Sequence, residues 1–147
     1  MGLIIQFAIG GIMIGLTVMV HAIALDKIIR VSHVVRIISK KFSRDFWKPF
    51  AASFIVVLVF CAHVVQIWMW AVLYLFLQMP EFPDLEKALY FSTVTYSTLG
   101  YGDIIIGEGY RMLAAIEGTN GFLLFGWTTA FIFEIISQMY KAEAKKL

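Results

Sequence analysis

The residues with the clearest chemical capacity are Thr98-Leu99-Gly100-Tyr101-Gly102, which combine a hydroxyl with two alternating glycines. A dehydrated monovalent cation needs several oxygen atoms to replace its water shell, and main-chain carbonyl groups supply them when they all face one axis. That orientation requires alternating backbone conformations, some with positive φ, which glycine adopts at little steric cost. We therefore expect Gly100 and Gly102 to turn carbonyl groups toward an ion, with the Thr98 hydroxyl as the lowest ligand. The side chains of Leu99 and Tyr101 should point outward into surrounding protein.

The segment before these residues, 85–97, predicts a helix that is too short to cross a membrane. It has about 13 residues and reaches only about 20 Å at 1.5 Å per residue. Asp84 is a suitable N-cap for it, and four Ser and Thr residues between Ser92 and Ser97 make it too polar to lie against lipid. Short helix and irregular backbone are tolerated at membrane depth only where protein buries them or where they line a water-filled cavity. The pattern predicts a re-entrant loop.

Hydropathy places this loop in an integral membrane protein. The chain has 147 residues, of which 61% are hydrophobic and 15% charged, whereas soluble domains carry about 25% charge. Residues 3–25 and 49–80 contain no charge, and 112–138 contain only Glu117 and Glu134. Each run exceeds the roughly 20 residues that span a bilayer as a helix. We expect an all-α membrane protein with three transmembrane helices and a re-entrant pore helix.

The distribution of charge predicts the orientation of the chain. Residues 26–48 hold seven basic and two acidic residues, the segment after Tyr140 is also basic, and 81–108 carry a net charge of −4. Lys and Arg remain preferentially on the cytoplasmic side. This predicts a multi-pass protein of the cell membrane with its N-terminus outside and its C-terminus in the cytoplasm. The 27–48 segment also has apolar residues at helical spacing, which is typical of a helix lying in the headgroup plane, either setting topology or binding anionic lipid.

The segment from Ala88 to Asp103, ALYFSTVTYSTLGYGD, resembles the pore helix and selectivity filter of the potassium channel family. The resemblance extends from about Phe50 to Ser137, and the whole chain resembles small three-span bacterial potassium-channel-like proteins. It implies that K+ is held by Thr98, Leu99, Gly100 and Tyr101, and that no other cofactor is needed. The implied organisation is an N-terminal helix and basic connection at 1–48, a pore domain at 49–140 and a basic tail at 141–147. Within the pore domain it implies an outer helix at 50–78, pore helix at 85–97, filter at 98–102 and inner helix at 110–140.

The sequence departs from the family pattern behind the filter. Val94 stands where some bacterial channels place a Glu that braces the outer filter acid, so we expect Tyr90 to brace Asp103 instead. Thr95 is expected to bond the Tyr101 hydroxyl. Glu117 is expected to bind Ser or Thr groups behind the filter or to be protonated, in a polar network with the nearby Asn120.

The third apolar run has features of an inner pore helix. Three- and four-residue spacing relates Gly118, Phe122, Phe125, Thr129 and Phe133, and by resemblance this face lines the cavity below the filter. Gly121 occupies the position of the family's hinge glycine, although close packing against the pore helix is the alternative. Phe125 and Phe133 suit hydrophobic constrictions or ordinary core. Glu134 suits an acidic ring at the inner mouth or an ion pair with Lys141 or the basic connection.

One chain supplies one pore loop, and one loop cannot encircle an ion, so the sequence predicts a C4 homotetramer. The leading function is a potassium-selective channel. The alternatives are a weakly selective monovalent cation channel and a non-conducting accessory membrane subunit. An enzyme is not expected, because His21, His33 and His63 are scattered along the chain and no acidic pair has metal-ligand spacing. No nucleic-acid partner is expected.

Overall fold

The computed structural model describes residues 1–42 and 47–144, with side chains at 1–31 and 47–141. Its elements are α1 (Leu3–Phe42), α2 (Trp47–Phe76), α3 (Leu85–Tyr96) and α4 (Arg111–Ala144), with a 3-10 turn at Glu108–Tyr110. The described residues form no strand. Three segments are long and apolar enough to cross a membrane, Leu3–Val31, Trp47–Phe76 and Glu108–Lys141. The three long apolar helices predicted from the sequence are therefore confirmed.

The three long helices pack side by side, with α1 parallel to α4 and antiparallel to α2. Near one end of the bundle Gly10 of α1 lies against Ile116 of α4, and further along Leu25 of α1 and Phe131 of α4 belong to the same hydrophobic cluster. The main core lies at the end of the bundle that holds α3, where Trp70, Tyr74 and Tyr96 are fully buried. The N-terminus lies at this same end, because a Cβ on Gly109 would be 2.8 Å from the Met1 nitrogen.

The basic connection does not form the separate helix in the headgroup plane that we expected. α1 continues without interruption from the apolar run to Phe42, over 40 residues. At 1.5 Å per residue this is about 60 Å, longer than the roughly 40–45 Å of a bilayer with its headgroups. One end of α1 must therefore project beyond the membrane. The side chains of 32–46, which carry most of the expected lipid-binding charge, lie outside the described residues.

α1 lies close to α4 at Gly10. Gly11 and Gly15, which form a GxxxG motif, do not contact α4. A Cβ on Gly10 would lie 2.7 Å from the Ile116 side chain, whereas Gly11 and Gly15 have no neighbour within 4 Å. Position decides this difference, since the buried residues of α1 recur at helical spacing through Gly10, Met13, Thr17 and His21. Gly11 and Gly15 face outward.

α3 lies against α4 at two glycines, one turn apart. A Cβ on Gly118 would be 3.3 Å from the Thr95 carbonyl oxygen, and one on Gly121 would overlap the Tyr96 carbonyl oxygen. α4 is continuous through both positions. Of the two interpretations of Gly121, close packing is therefore the one that the structure supports, and the element packed against it is α3.

We predict that Gly121→Ala destabilises the protein by about 1–3 kcal/mol, the usual cost of overpacking a filled interior. Its methyl group would have to displace the main chain at the end of α3. Gly126→Ala is the matched control, because Gly126 lies on the same helix with no neighbour within 4 Å, and alanine favours helix by about 1 kcal/mol. Thermal unfolding in detergent should separate the two variants, and equal melting temperatures would contradict this account of the packing.

Candidate functional site

The site begins where α3 ends, at a run of residues whose backbone alternates in handedness. φ is +60° at Thr98, +56° at Gly100 and +77° at Gly102, whereas Leu99 and Tyr101 do not have positive φ. The two glycines behave as expected. Thr98 was not predicted to be left-handed. This conformation costs a non-glycine residue of order 1–3 kcal/mol, and it persists only where the surrounding structure holds it.

The surroundings that hold this turn are main-chain hydrogen bonds at the end of α3. The amides of Leu99 and Gly100 both donate to the Val94 carbonyl oxygen, at 3.0 and 3.3 Å, and the Thr98 amide donates to Thr95 O at 2.9 Å. The Ser97 hydroxyl also donates to Thr93 O at 2.6 Å. These bonds satisfy helix carbonyls that would otherwise lack partners. They therefore fix the start of the alternating segment to the helix.

The other end of α3 is capped as the sequence predicts. The Asp84 side chain accepts a hydrogen bond from the Lys87 amide at 2.9 Å. Pro80 and Pro83 lie in the preceding non-helical segment, where they stop α2 from continuing into α3. The two ends of α3 are thus both determined locally.

Tyr90 and Asp103 make the contact that was expected of them. The Tyr90 hydroxyl donates to Asp103 Oδ2 at 2.5 Å. This hydrogen bond is the main reason that the pKa of Asp103 lies below its usual value, and it raises the pKa of Tyr90. The Ile104 amide also donates to Asp103 Oδ1 at 3.1 Å. Asp103 is therefore an ionised acid, held from two sides, at the end of the alternating segment.

Within one chain, Thr95 does not bond Tyr101. The described side chains show no hydrogen bond between the two, and the Tyr101 side chain is 69% exposed. Leu99 is also exposed, at 59%. Beside them, a cavity of about 290 Å³ lies between α3 and the segment that follows it, lined by Val94, Thr95 and Ile105 among others.

Glu117 is buried behind α3, where it has one partner that was not expected. The Tyr74 hydroxyl of α2 donates to Glu117 Oε2 at 2.6 Å, and Ser92 lies beside the carboxyl group. Asn120 is not part of this cluster, because its amide donates to Thr17 Oγ1 of α1 at 2.8 Å. The expected single network is therefore two separate contacts.

The expected cavity-lining face of α4 divides into two. Phe122, Thr129 and Phe133 are exposed in the single chain. Phe125 instead packs inward, with its ring centroid 4.6 Å from that of His63 and 5.5 Å from that of Tyr96. Gly118 and Gly121 also face α3. Glu134 is exposed and accepts a hydrogen bond from Gln138 at 2.7 Å.

The meeting of His21 and His63 was not predicted from the sequence. Their ring centroids are 5.1 Å apart, although 42 positions separate them in the numbering. One signal was present, since Thr17 and His21 lie one turn apart in the apolar part of α1 and share a face. Among the described residues, no group of three His, Cys, Asp or Glu side chains is placed to hold a metal ion.

Comparison with known families identifies the class of protein that this arrangement belongs to. A family model described as "Ion channel" matches residues 54–138, which is more than half of the chain. The chain belongs to this ion channel family, which is not an enzyme class, and is a multi-pass membrane protein. Within that class, the family is potassium-channel-like. No curated protein and no solved structure matched the chain.

We predict that Tyr90→Phe destabilises the Asp103 end of the site at neutral pH and much less in acid. The lowered pKa of Asp103 means that the bond stabilises the fold above the ordinary value of 3.8 and is lost as the pH falls through the folded value. The raised pKa of Tyr90 sets the alkaline limit above 10.0. Thermal unfolding of wild type and variant at several pH values is the measurement.

Asp103→Asn in the Tyr90→Phe background supplies the control for that experiment. If the two side chains act on each other, the double variant should be little less stable than the more damaging single variant. A difference between Tyr90→Phe and wild type that is equally large at neutral and strongly acid pH would contradict the assignment.

Proposed function

We propose that four copies of this chain form a potassium-selective channel that conducts K+ passively across the membrane. The observation that carries the proposal is the alternation of positive φ at Thr98, Gly100 and Gly102, immediately after a short helix in a family of ion channels. Such alternation turns successive carbonyl groups to the same side of the chain. Four such segments around an axis would present rings of oxygen atoms in place of an ion's water shell.

The electrostatics of α3 favour a cation in the proposed pore. A helix carries a partial negative charge at its C-terminus, and α3 ends at Tyr96, two residues before Thr98. In the tetramer, four such ends would point toward the cavity below the filter. The proposed K+ sites are the oxygen rings of Thr98, Leu99, Gly100 and Tyr101.

Exposed apolar groups in the single chain support assembly with further copies. Leu99 and Tyr101 have their side chains exposed beside the filter backbone, where they would hold the ring open only by packing against protein. The cavity of about 290 Å³ behind the filter offers an adjacent copy a place to pack. A homotetramer buries these surfaces, and a Thr95–Tyr101 hydrogen bond would then join neighbouring copies.

The arrangement of the chain ends supports the proposed orientation. Met1, the 3-10 turn and the acidic 81–108 segment lie at the same end of the bundle, and the basic 26–48 segment follows at the other end of the first span. By the preference of Lys and Arg for the cytoplasm, the N-terminus and the filter's outer mouth face outward and the C-terminus faces the cytoplasm. The 27–48 segment would there meet anionic lipid.

The exposed face of α4 fits the lining of the pore below the filter. Phe122 and Phe133 are 69% and 73% exposed, and in a tetramer they would face the central axis as hydrophobic constrictions. Glu134 would form an acidic ring that concentrates cations at the inner mouth. Phe125 is not part of this proposal, because its ring packs within its own chain.

We predict that the purified protein, reconstituted in vesicles under a K+ gradient, supports K+ flux well above Na+ flux and that Ba²⁺ blocks it. Gly100→Ala should abolish flux or selectivity, because its φ of +56° places a Cβ in the left-handed region and costs roughly 1–2 kcal/mol in each subunit. Gly15→Ala is the matched control, since Gly15 lies within α1, has ordinary helical φ and meets no neighbour within 4 Å.

The outcomes of this assay separate the candidate functions. Selective K+ flux lost in Gly100→Ala supports the proposal. Equal K+ and Na+ flux indicates the weakly selective channel, and absent flux from a correctly inserted wild type indicates the accessory subunit. Selective flux that survives Gly100→Ala unchanged would refute the filter assignment.

A further inference from the structure

Five polar side chains from all four helices meet inside the bundle. They are His21 of α1, His63 and Gln66 of α2, Tyr96 of α3 and Thr128 of α4. Each is buried, with a relative exposure between 0% and 9%. In a membrane-spanning bundle such a cluster persists only when its members satisfy one another.

The hydrogen bonds among them form a closed circuit. Gln66 Nε2 lies 3.0 Å from His21 Nδ1, and Thr128 Oγ1 lies 3.3 Å from His21 Nε2. Thr128 Oγ1 also lies 2.8 Å from His63 Nε2. His63 Nδ1 lies 3.0 Å from the Tyr96 hydroxyl, which donates to Gln66 Oε1 at 2.5 Å.

The donors and acceptors can be assigned around the whole circuit. Gln66 Nε2 can only donate, so His21 Nδ1 accepts, and neutral His21 therefore donates from Nε2 to Thr128. Tyr96 gives its proton to Gln66, so it accepts from His63 Nδ1. His63 Nε2 is then an acceptor for the Thr128 hydroxyl proton. Every member donates one bond to the next and accepts one from the previous member.

The closed circuit makes His21 the link through which α1 reaches α3. His21 holds Tyr96 by two routes, one through Gln66 and the other through Thr128 and His63. Replacing His21 by an apolar residue would leave a buried Gln66 donor and the Thr128 oxygen each short of a partner, and such losses are expensive in an apolar interior. The hydroxyl of Tyr96 would then lose its fixed position.

Tyr96 is the point where α3 passes into the alternating segment. Its main-chain carbonyl is in close contact with Gly121, while its hydroxyl is held by the circuit, so the residue is fixed at both ends. Two residues later, Thr98 holds a positive φ of +60°. A shift of Tyr96 would be transmitted directly to the lowest part of the proposed filter.

We propose that α1 is a positioning element for the filter, and that His21 acts through this hydrogen-bonded circuit on Tyr96 to set the channel's ion discrimination. The proposal rests on the proposed function as a K+ channel. It assigns a role to the first helix, which lies outside the residues matched by the family model. His21 is a positioning residue, since it contacts neither the filter backbone nor the proposed ion path.

The test compares the K+/Na+ permeability ratio of six proteins in vesicles of phosphatidylethanolamine and phosphatidylglycerol. These are wild type, His21→Leu, His21→Gln, Tyr96→Phe, the double variant His21→Leu/Tyr96→Phe and the control Thr17→Val. We expect His21→Leu and Tyr96→Phe each to lower the ratio by about tenfold, the effect of about 1.4 kcal/mol. The double variant should be no worse than the worse single variant, since both cut the same circuit.

Two variants distinguish positioning from general stability. His21→Gln retains a carbonyl to accept from Gln66 and an amide to donate to Thr128, and should keep the ratio within about twofold of wild type. Thr17→Val is the matched control, because Thr17 is also buried on α1 and loses a hydrogen bond from Asn120 that is outside the circuit. It should lower the melting temperature and leave the ratio unchanged.

The failures of the two proposals are separable. A wild type without K+ flux refutes the proposed function. A selective wild type whose ratio persists in His21→Leu refutes only the present inference, as does an equal loss of selectivity in Thr17→Val or an additive double variant. If His21→Leu does not assemble, the nearly isosteric Thr128→Val cuts the same circuit, and an unchanged ratio in that variant overturns the inference.

Discussion

The structure depends on one constraint, which is that main-chain groups outside the helices must find partners other than those a helix would supply. Between α3 and the 3-10 turn, residues 97–107 form no helix, yet they lie between segments that can cross a membrane. At membrane depth, where the proposal places them, their carbonyl oxygens need partners other than lipid, which can offer none. In the proposed channel a cation supplies that partner, and the left-handed residues at 98, 100 and 102 make the geometry possible. The segment then requires a rigid support that keeps it from rewinding into helix.

The support comes from α3, which is fixed on several sides. Asp84 caps its start, Gly118 and Gly121 allow α4 to approach its last carbonyls, and the buried circuit holds the Tyr96 hydroxyl. Glu117 with Tyr74 adds a polar contact behind it. Because these supports come from α1, α2 and α4, the whole bundle contributes to the position of a few main-chain atoms.

The sequence was sufficient for features that depend on local chemistry. The apolar runs predicted three long helices, and Asp84 with the prolines predicted where α3 begins. The alternating glycines predicted positive φ at positions 100 and 102. The Tyr90–Asp103 contact was also predicted, because the resemblance showed that Val94 replaces the Glu that braces this Asp in some bacterial channels, which left Tyr90 to brace it.

Features that depend on how helices rotate against each other were missed. The orientation of Phe125, the Tyr74–Glu117 pair and the meeting of His21 with His63 follow from tertiary packing that no single helix specifies. The uninterrupted length of α1 was also missed, because a change from apolar to basic residues does not require a break in the backbone.

The most direct test of the central claim is a crystal structure of the purified protein soaked in Rb+ or Tl+, with anomalous scattering used to locate the ions. The account predicts four copies about one axis, with anomalous peaks on that axis at the levels of residues 98–102, ringed by main-chain oxygen atoms. Copies without a common axis, or an axis without ion density beside these residues, would contradict it.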